Sequence, residues 1–160
     1  MARKKKTWRE QLMDSKDLPK VVQLNENGQI HLKAKTMAIP SPLAVDAIMA
    51  KVPKGKLTTI DEIRRQVAKD NCADIGCQLT CGIFAWIVAN AAEEAAAAGE
   101  KKITPYWRTL KSNGELNPKY PGGVEAQKKR LEAEGHTIFQ KRVKWFVEDF
   151  EAKLVRERRG

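Results

Sequence analysis

Residues 82–98 set the strongest limit on what this chain can fold into. The segment is rich in alanine, the residue with the highest helix propensity, and Gly99 behind it supplies a stop. Asn90, Glu93 and Glu94 interrupt it. It therefore falls short of the roughly 18–20 uninterrupted apolar residues of a membrane span. Thr80 is its predicted N-cap. Ile83, Phe84, Trp86, Ile87 and Asn90 give it a bulky end that must be buried, and Trp86 reads as core rather than as a ligand contact. The rest of the chain has to supply a core around this helix.

Two shorter helices precede it. Ser41 suits an N-cap and Pro42 a first turn, and Leu43, Val45, Ile48, Met49 and Val52 recur at helical spacing until Pro53-Lys54-Gly55 ends the run. Thr59 is a second N-cap candidate with Glu62 as capping-box partner, and Ile60, Ile63 and Val67 form one apolar face. Residues 70–79 read as a connecting loop. Three helices with short connections fit a helix-turn-helix core.

Upstream, residues 21–24 and 29–32 look like two short strands around a turn at Asn25-Glu26-Asn27-Gly28. Downstream, Ser112-Asn113-Gly114 is a tight turn, and Asn117-Pro118 with Pro121-Gly122-Gly123 makes a second irregular stretch; both read as a wing beside the helices. A polar helix over 124–134 ends at Gly135, a hairpin follows over 137–140 and 144–147 around Lys141-Arg142, and a short helix over 148–159 finishes the chain. The expected class is α+β, predominantly helical: a winged helix-turn-helix with short N-terminal strands and a C-terminal hairpin.

The charge balance points to a polyanion. Thirty Lys and Arg against twenty Asp and Glu give +10 and a pI near 9.6 over 160 residues, which favours nucleic acid over other partner classes. Arg3, Lys4, Lys5, Lys6 and Arg9 form a basic arm that either follows phosphates or is a solvated terminus. Lys128, Lys129 and Arg130 are either a DNA-facing patch or a solvated face. Neither a secretory signal nor a membrane segment is expected. Cys72, Cys77 and Cys81, an odd count at C-x4-C-x3-C spacing, suit a reducing, cytoplasmic compartment. Zinc usually takes a fourth ligand, and His31 and His136 are distant in sequence, so neither metal nor cofactor is expected.

The motifs that carry a resemblance lie in the middle of the chain. Val52-Pro-Lys-Gly-Lys-Leu-Thr-Thr59 followed by Glu62-Ile63, then Pro105-Tyr-Trp-Arg108, Ser112-Asn-Gly114, Tyr120-Pro-Gly-Gly123, Leu131 and Glu134-Gly-His136 stand in one order. Together they resemble the DNA-binding domain of the alkylguanine-DNA alkyltransferases, with Pro105-Tyr-Trp-Arg108 where that family carries Pro-Cys-His-Arg. The resemblance covers residues 39–138, leaving 1–38 as a basic extension and 139–160 as a C-terminal strand and helix. It implies a winged helix that enters the minor groove and flips an alkylated guanine into a pocket.

The departures from that pattern bear on chemistry. Tyr106 stands at the acceptor cysteine and Trp107 at the activating histidine. A phenol is mostly protonated near neutral pH, and an indole is no base. The resemblance is thus to the non-catalytic alkyltransferase-like proteins, which implies a monomer that binds alkylated guanine in double-stranded DNA and hands it to nucleotide excision repair proteins. Ile60 aligns with the tyrosine that helps rotate the phosphate, and Ala73 or Cys81 with the arginine that fills the stack. Arg64 or Arg65 is a candidate substitute. The expected DNA- or base-contacting set is Thr59, Ile60, Arg64, Arg65, Tyr106, Trp107, Arg108, Ser112, Asn113, Tyr120, Gly122 and Gly123. Within it, Tyr106 and Trp107 either stack on an extruded base or close the pocket, Arg108 either holds the wing or touches DNA, and Tyr120 either lines the pocket or packs the wing. Three rivals stand beside this reading: a transferase with a relocated cysteine, a DNA-binding regulator without lesion preference, and a protein-interaction module built on the long third helix.

Overall fold

The computed structural model describes residues 5–155. Three helices form its centre: α3 (Pro42–Ala50), α4 (Ile60–Asp70) and the long α5 (Gln78–Ala97). The first two start at their expected N-caps. Ser41 Oγ accepts from Ala44 N with Pro42 in the first turn, and Thr59 Oγ1 accepts from Glu62 N. Gly99, at φ +97°, stops α5. Val45, Met49, Ile63, Val67, Ala85, Val88 and Ala89 interlock into the main core.

The alanines of α5 are what let it sit so deep. Its buried positions are Cys81, Ala85, Ile87, Val88, Ala89, Ala91, Ala92 and Ala95, so small side chains admit neighbouring helices on several sides. The bulky end is only partly buried, contrary to expectation: Ile83 is 43% and Trp86 37% exposed. Trp86 instead meets Trp8 of α1 (Trp8–Met13) edge to face, at 4.7 Å between ring centres.

The N-terminal region is tied to this core. Thr7 and Glu10 form a reciprocal capping box, and the Glu94 carboxylate of α5 accepts from Trp8 N and Arg9 N. Arg9 pairs with Glu100 and Lys6 with Asp14, so these members of the expected basic arm are engaged within the protein. Arg3 and Lys4 lie outside the described residues.

Several local expectations are corrected. Strand β1 (Lys20–Gln23) forms, but residues 26–32 are helix α2 (Glu26–Leu32) rather than a second strand, because the Asn25 side chain accepts from Gly28 N and nucleates a turn of helix. The partner of β1 is β2 (Thr36–Ile39), antiparallel, which crosses residues 38 and 39. The expected 70–79 loop contains β4 (Ile75–Gly76), parallel to β2. Cys77 N continues this ladder onto Ala38 O, and the chain turns directly into α5 with Cys77 as N-cap. Thr80 is therefore already inside the helix, its hydroxyl donating to Cys77 O.

Past α5 a single 3-10 turn, Tyr106–Arg108, leads into β5 (Thr109–Leu110), which pairs in parallel with β3 (Thr58–Thr59). Helix α6 (Gly123–Ala133) and the antiparallel hairpin β6 (Ile138–Lys141) and β7 (Lys144–Val147) follow as expected. The final helix is shorter than expected: α7 spans Phe150–Lys153, and Leu154 then bridges to Leu57 in extended form. Residues 156–159 of that expected helix lie outside the described residues. A second core of Leu57, Leu110, Leu116, Leu131 and Val147 underlies this half, and Trp107 packs against both cores. The class is α+β and predominantly helical, and no described helix is long and apolar enough to cross a membrane.

Candidate nucleic-acid interface

The β3–β5 pairing organises the site. Thr59 lies opposite Leu110, which sets the start of α4 beside the Tyr106–Arg108 turn. Thr59 is buried as the N-cap of α4, and Ile60 is partly buried against the main core. The two candidate arginines of α4 are ion-paired on their own helix: Arg64 with Asp61, and Arg65 with Asp61 and Glu62. Arg64 also donates from Nε to Gly76 O at 3.1 Å. It thereby clamps β4 to α4, while Arg65 remains well exposed.

Tyr106, Trp107, Arg108 and Tyr120 converge. Tyr106 meets Trp107 and Tyr120 edge to face, each at 5.4 Å between centres. Tyr106 is only 2% and Tyr120 3% exposed. The phenol of Tyr106 donates to Glu93 Oε1 of α5 at 2.7 Å, and the same oxygen accepts from Arg130 Nη2 of α6 at 2.9 Å. The Arg130 guanidinium lies 4.2 Å from the centre of the Trp107 ring. Tyr106 is thus packed within the protein, and the Glu93–Arg130 bridge lies against it. Two surface clefts lie away from it: one of about 650 Å³ is lined by Lys51, Thr58, Glu62, Arg65 and Gln66, and one of about 420 Å³ lies beside Leu12 and Val88.

Burial, and then the Glu93 carboxylate accepting its proton, push the Tyr106 phenol above its ordinary pKa. Burial does the same to Tyr120. Neither hydroxyl is poised to become a nucleophile. Cys81 is fully buried, and its thiol is pushed up to about 12 by desolvation and by neighbouring Cys77, the opposite of an activated thiolate. Cys72 is exposed and Cys77 partly so. No group of three or more potential metal ligands is found among the described residues.

Arg108 holds the segment in place. Its Nε donates to both Glu134 oxygens, at 2.9 and 3.1 Å, and its Nη1 to Val52 O at 2.7 Å. Burial alone would raise the Glu134 pKa, but Arg108 outweighs it and the carboxyl stays below its ordinary range. The Trp107 indole N–H faces this carboxylate too and helps lower it, though without a well-aligned hydrogen bond. Buried Gln127 joins α6 to both sides, accepting from Asn117 N at 2.8 Å and donating to Trp107 O at 3.1 Å.

Ser112 and Asn113 stand exposed on the turn closed by Gly114 N to Lys111 O. Gly122 and Gly123 have φ of +80° and +69° at the start of α6, and a Cβ on Gly122 would meet Ala126 Cβ at 2.5 Å. Tyr106, Trp107, Arg108 and Tyr120 thus form one cluster, Thr59 and Ile60 lie behind it, and Arg65, Ser112 and Asn113 are separate surface positions. Sequence reasoning missed Glu93 and Arg130 as members of the cluster. In the sequence Glu93 reads only as an interruption of an apolar run, and an acceptor brought to its partners by tertiary packing has no spacing rule that names them.

No family model and no curated protein matches the chain by sequence. By structure it is similar to an alkyltransferase-like protein of S. pombe, Atl1, solved with damaged DNA containing O6-carboxymethylguanine: TM-score 0.51, 20% identity, covering 72% of this chain and 94% of that one. A second structure of the S. pombe alkyltransferase-like protein, in complex with DNA, matches equally, with TM-score 0.51 and 20% identity over 72% of this chain and 94% of that one. The chain shares their fold.

Proposed function

We propose that this protein is a non-catalytic DNA-binding protein that recognises alkylated guanine in duplex DNA. The observation that carries the reading is the Tyr106 cluster. By the resemblance, the buried, hydrogen-bonded phenol of Tyr106 takes the place of a transferase thiol, and Arg108 beside it is clamped to Glu134. The fold shared with structures bound to DNA and damaged DNA supports it, as does the charge of +10.

In this reading the winged-helix region of α4, α5 and residues 109–123 meets the minor groove. Arg65, Ser112 and Asn113 contact the backbone from the surface. Tyr106, Trp107 and Tyr120 receive an extruded base once the Glu93–Arg130 bridge opens. The lesion is then passed to nucleotide excision repair proteins. The monomeric chain acts without cofactor in the cytoplasm.

The burial of Tyr106 favours a second reading, a duplex-binding protein without lesion preference, because a ring only 2% exposed offers no free face for a base to stack on. Incubation with a duplex carrying O6-methylguanine, followed by gel shift and intact-mass measurement, tests the proposal. A retarded complex with unchanged protein mass is expected. A mass gain of one methyl group would establish a transferase, and no retarded complex at low salt would sink the DNA-binding reading altogether.

A further inference from the structure

The β6–β7 hairpin carries an electrostatic cost that its ion pairs among the described residues repay only in part. Its last cross-strand pair is Lys141 opposite Lys144, and like charges directly opposite destabilise a ladder. Arg142 sits between them in the turn, at φ +60°. Three cations thus occupy four consecutive positions. Among the described residues neither Lys141 nor Arg142 has an ion-pair partner, and Lys144 reaches only Glu115, at 3.9 Å, which Lys111 shares at 3.7 Å.

The hairpin is also firmly mounted. Ile138, Trp145 and Val147 of its inner face pack on the second core. Leu116 N donates to Trp145 O at 2.8 Å and Val147 N to Gly114 O at 3.1 Å, so β7 lies along the segment that follows the Ser112-Asn113 turn. The strand alternation puts Phe139, Lys141, Lys144 and Phe146 on the other face. There the two phenyl rings stack at 5.6 Å and 20°, stiffening the arm. Val143 at the tip is 86% exposed. A rigid arm with concentrated, largely unpaired positive charge, continuous with Ser112 and Asn113, matches a polyanionic backbone in charge and position.

We propose that the β6–β7 hairpin is a second contact for duplex DNA, gripping the phosphate backbone through Lys141, Arg142 and Lys144 beyond the site of Tyr106. The inference rests on the reading that the chain binds duplex DNA. Phosphates relieve the Lys141–Lys144 repulsion on binding. In the free protein that repulsion is the cost of keeping the arm charged.

The test is a salt titration of binding to an undamaged duplex by fluorescence anisotropy. It compares the wild-type chain, a hairpin variant (Lys141→Gln, Arg142→Gly, Lys144→Gln) and a charge-matched control (Lys20→Gln, Lys35→Gln, Lys101→Gln). Arg142→Gly keeps the left-handed turn free of strain, and thermal unfolding verifies that each variant is folded. The hairpin variant is expected to lose about tenfold or more in affinity and to shallow the slope of log K against log salt by about 2–3, while the control changes little. Equal slopes for the hairpin variant and wild type, or equal losses in both variants, would overturn the hairpin contact while leaving DNA binding intact. A wild-type chain that fails to bind the duplex at low salt would overturn both.

Discussion

The Tyr106 phenol donates a hydrogen bond to Glu93 Oε1 across the gap between the 3-10 turn and α5, at 2.7 Å. One short bond fixes the buried ring and joins it to the helix behind. Tyr106→Phe should remove only this bond, leaving Glu93 on Arg130, and cost about 1 kcal/mol in a denaturant titration. Tyr106→Ala would leave a cavity in the core and should cost about 3–5 kcal/mol. Comparable losses for the two variants would show that the ring itself contributes little packing.

The Arg108–Glu134 clamp gives an acid-side pH dependence. Because the folded Glu134 pKa is depressed, its contribution is present above the ordinary carboxylate range and is lost as pH falls through the lower folded value. Glu134→Gln should flatten this part of the stability profile. Glu134→Ala should also leave Arg108 uncompensated in a nearly buried site, at a cost of about 3 kcal/mol at neutral pH.

His136 acts in a higher window. Burial holds its imidazole below the usual value, against the Glu134 carboxylate that would raise it, and its Nε2 has no partner. The folded state therefore favours the neutral ring. Its contribution is complete above about pH 6.5 and is lost as pH falls from there through the folded value. Unfolding free energy measured between pH 5 and pH 7, a window on the order of the reference imidazole pKa, should rise with pH in the wild type and rise less in His136→Gln.

Gly76 is a packing requirement. A Cβ there would lie 2.3 Å from Arg64 O, a backbone atom, so Gly76→Ala must push β4 off α4. A loss of about 2–3 kcal/mol is expected, read by thermal unfolding. The start of α5 is set by the same ladder, so DNA affinity should fall with it.

Helices α3, α4 and α6 were legible because their signals are local: Ser41 and Thr59 as caps, Pro42 in a first turn, Gly135 as a stop. The misreadings came where longer-range contacts decide. Residues 29–32 alternate like a strand, yet the Asn25 cap and the free pairing edge of β1 for β2 made them helix. Thr80 looked like a cap because β4, a two-residue strand with no pattern of its own, cannot be seen until β2 is placed beside it. The aromatic cluster was legible as a set, since Tyr106, Trp107 and Tyr120 fall in recognisable motifs. The buried placement of Tyr106 involves Glu93 and Arg130, contributed by helices 13 residues before and 24 residues after it in sequence.

The central claim is recognition of alkylated guanine, and the ratio of two dissociation constants tests it most directly. Fluorescence anisotropy at fixed salt would compare one duplex sequence with guanine and with O6-methylguanine at its centre. The account predicts binding to the alkylated duplex tighter by about tenfold or more, corresponding to about 1.4 kcal/mol. Equal constants for the two duplexes would contradict it and leave a DNA-binding protein without lesion preference.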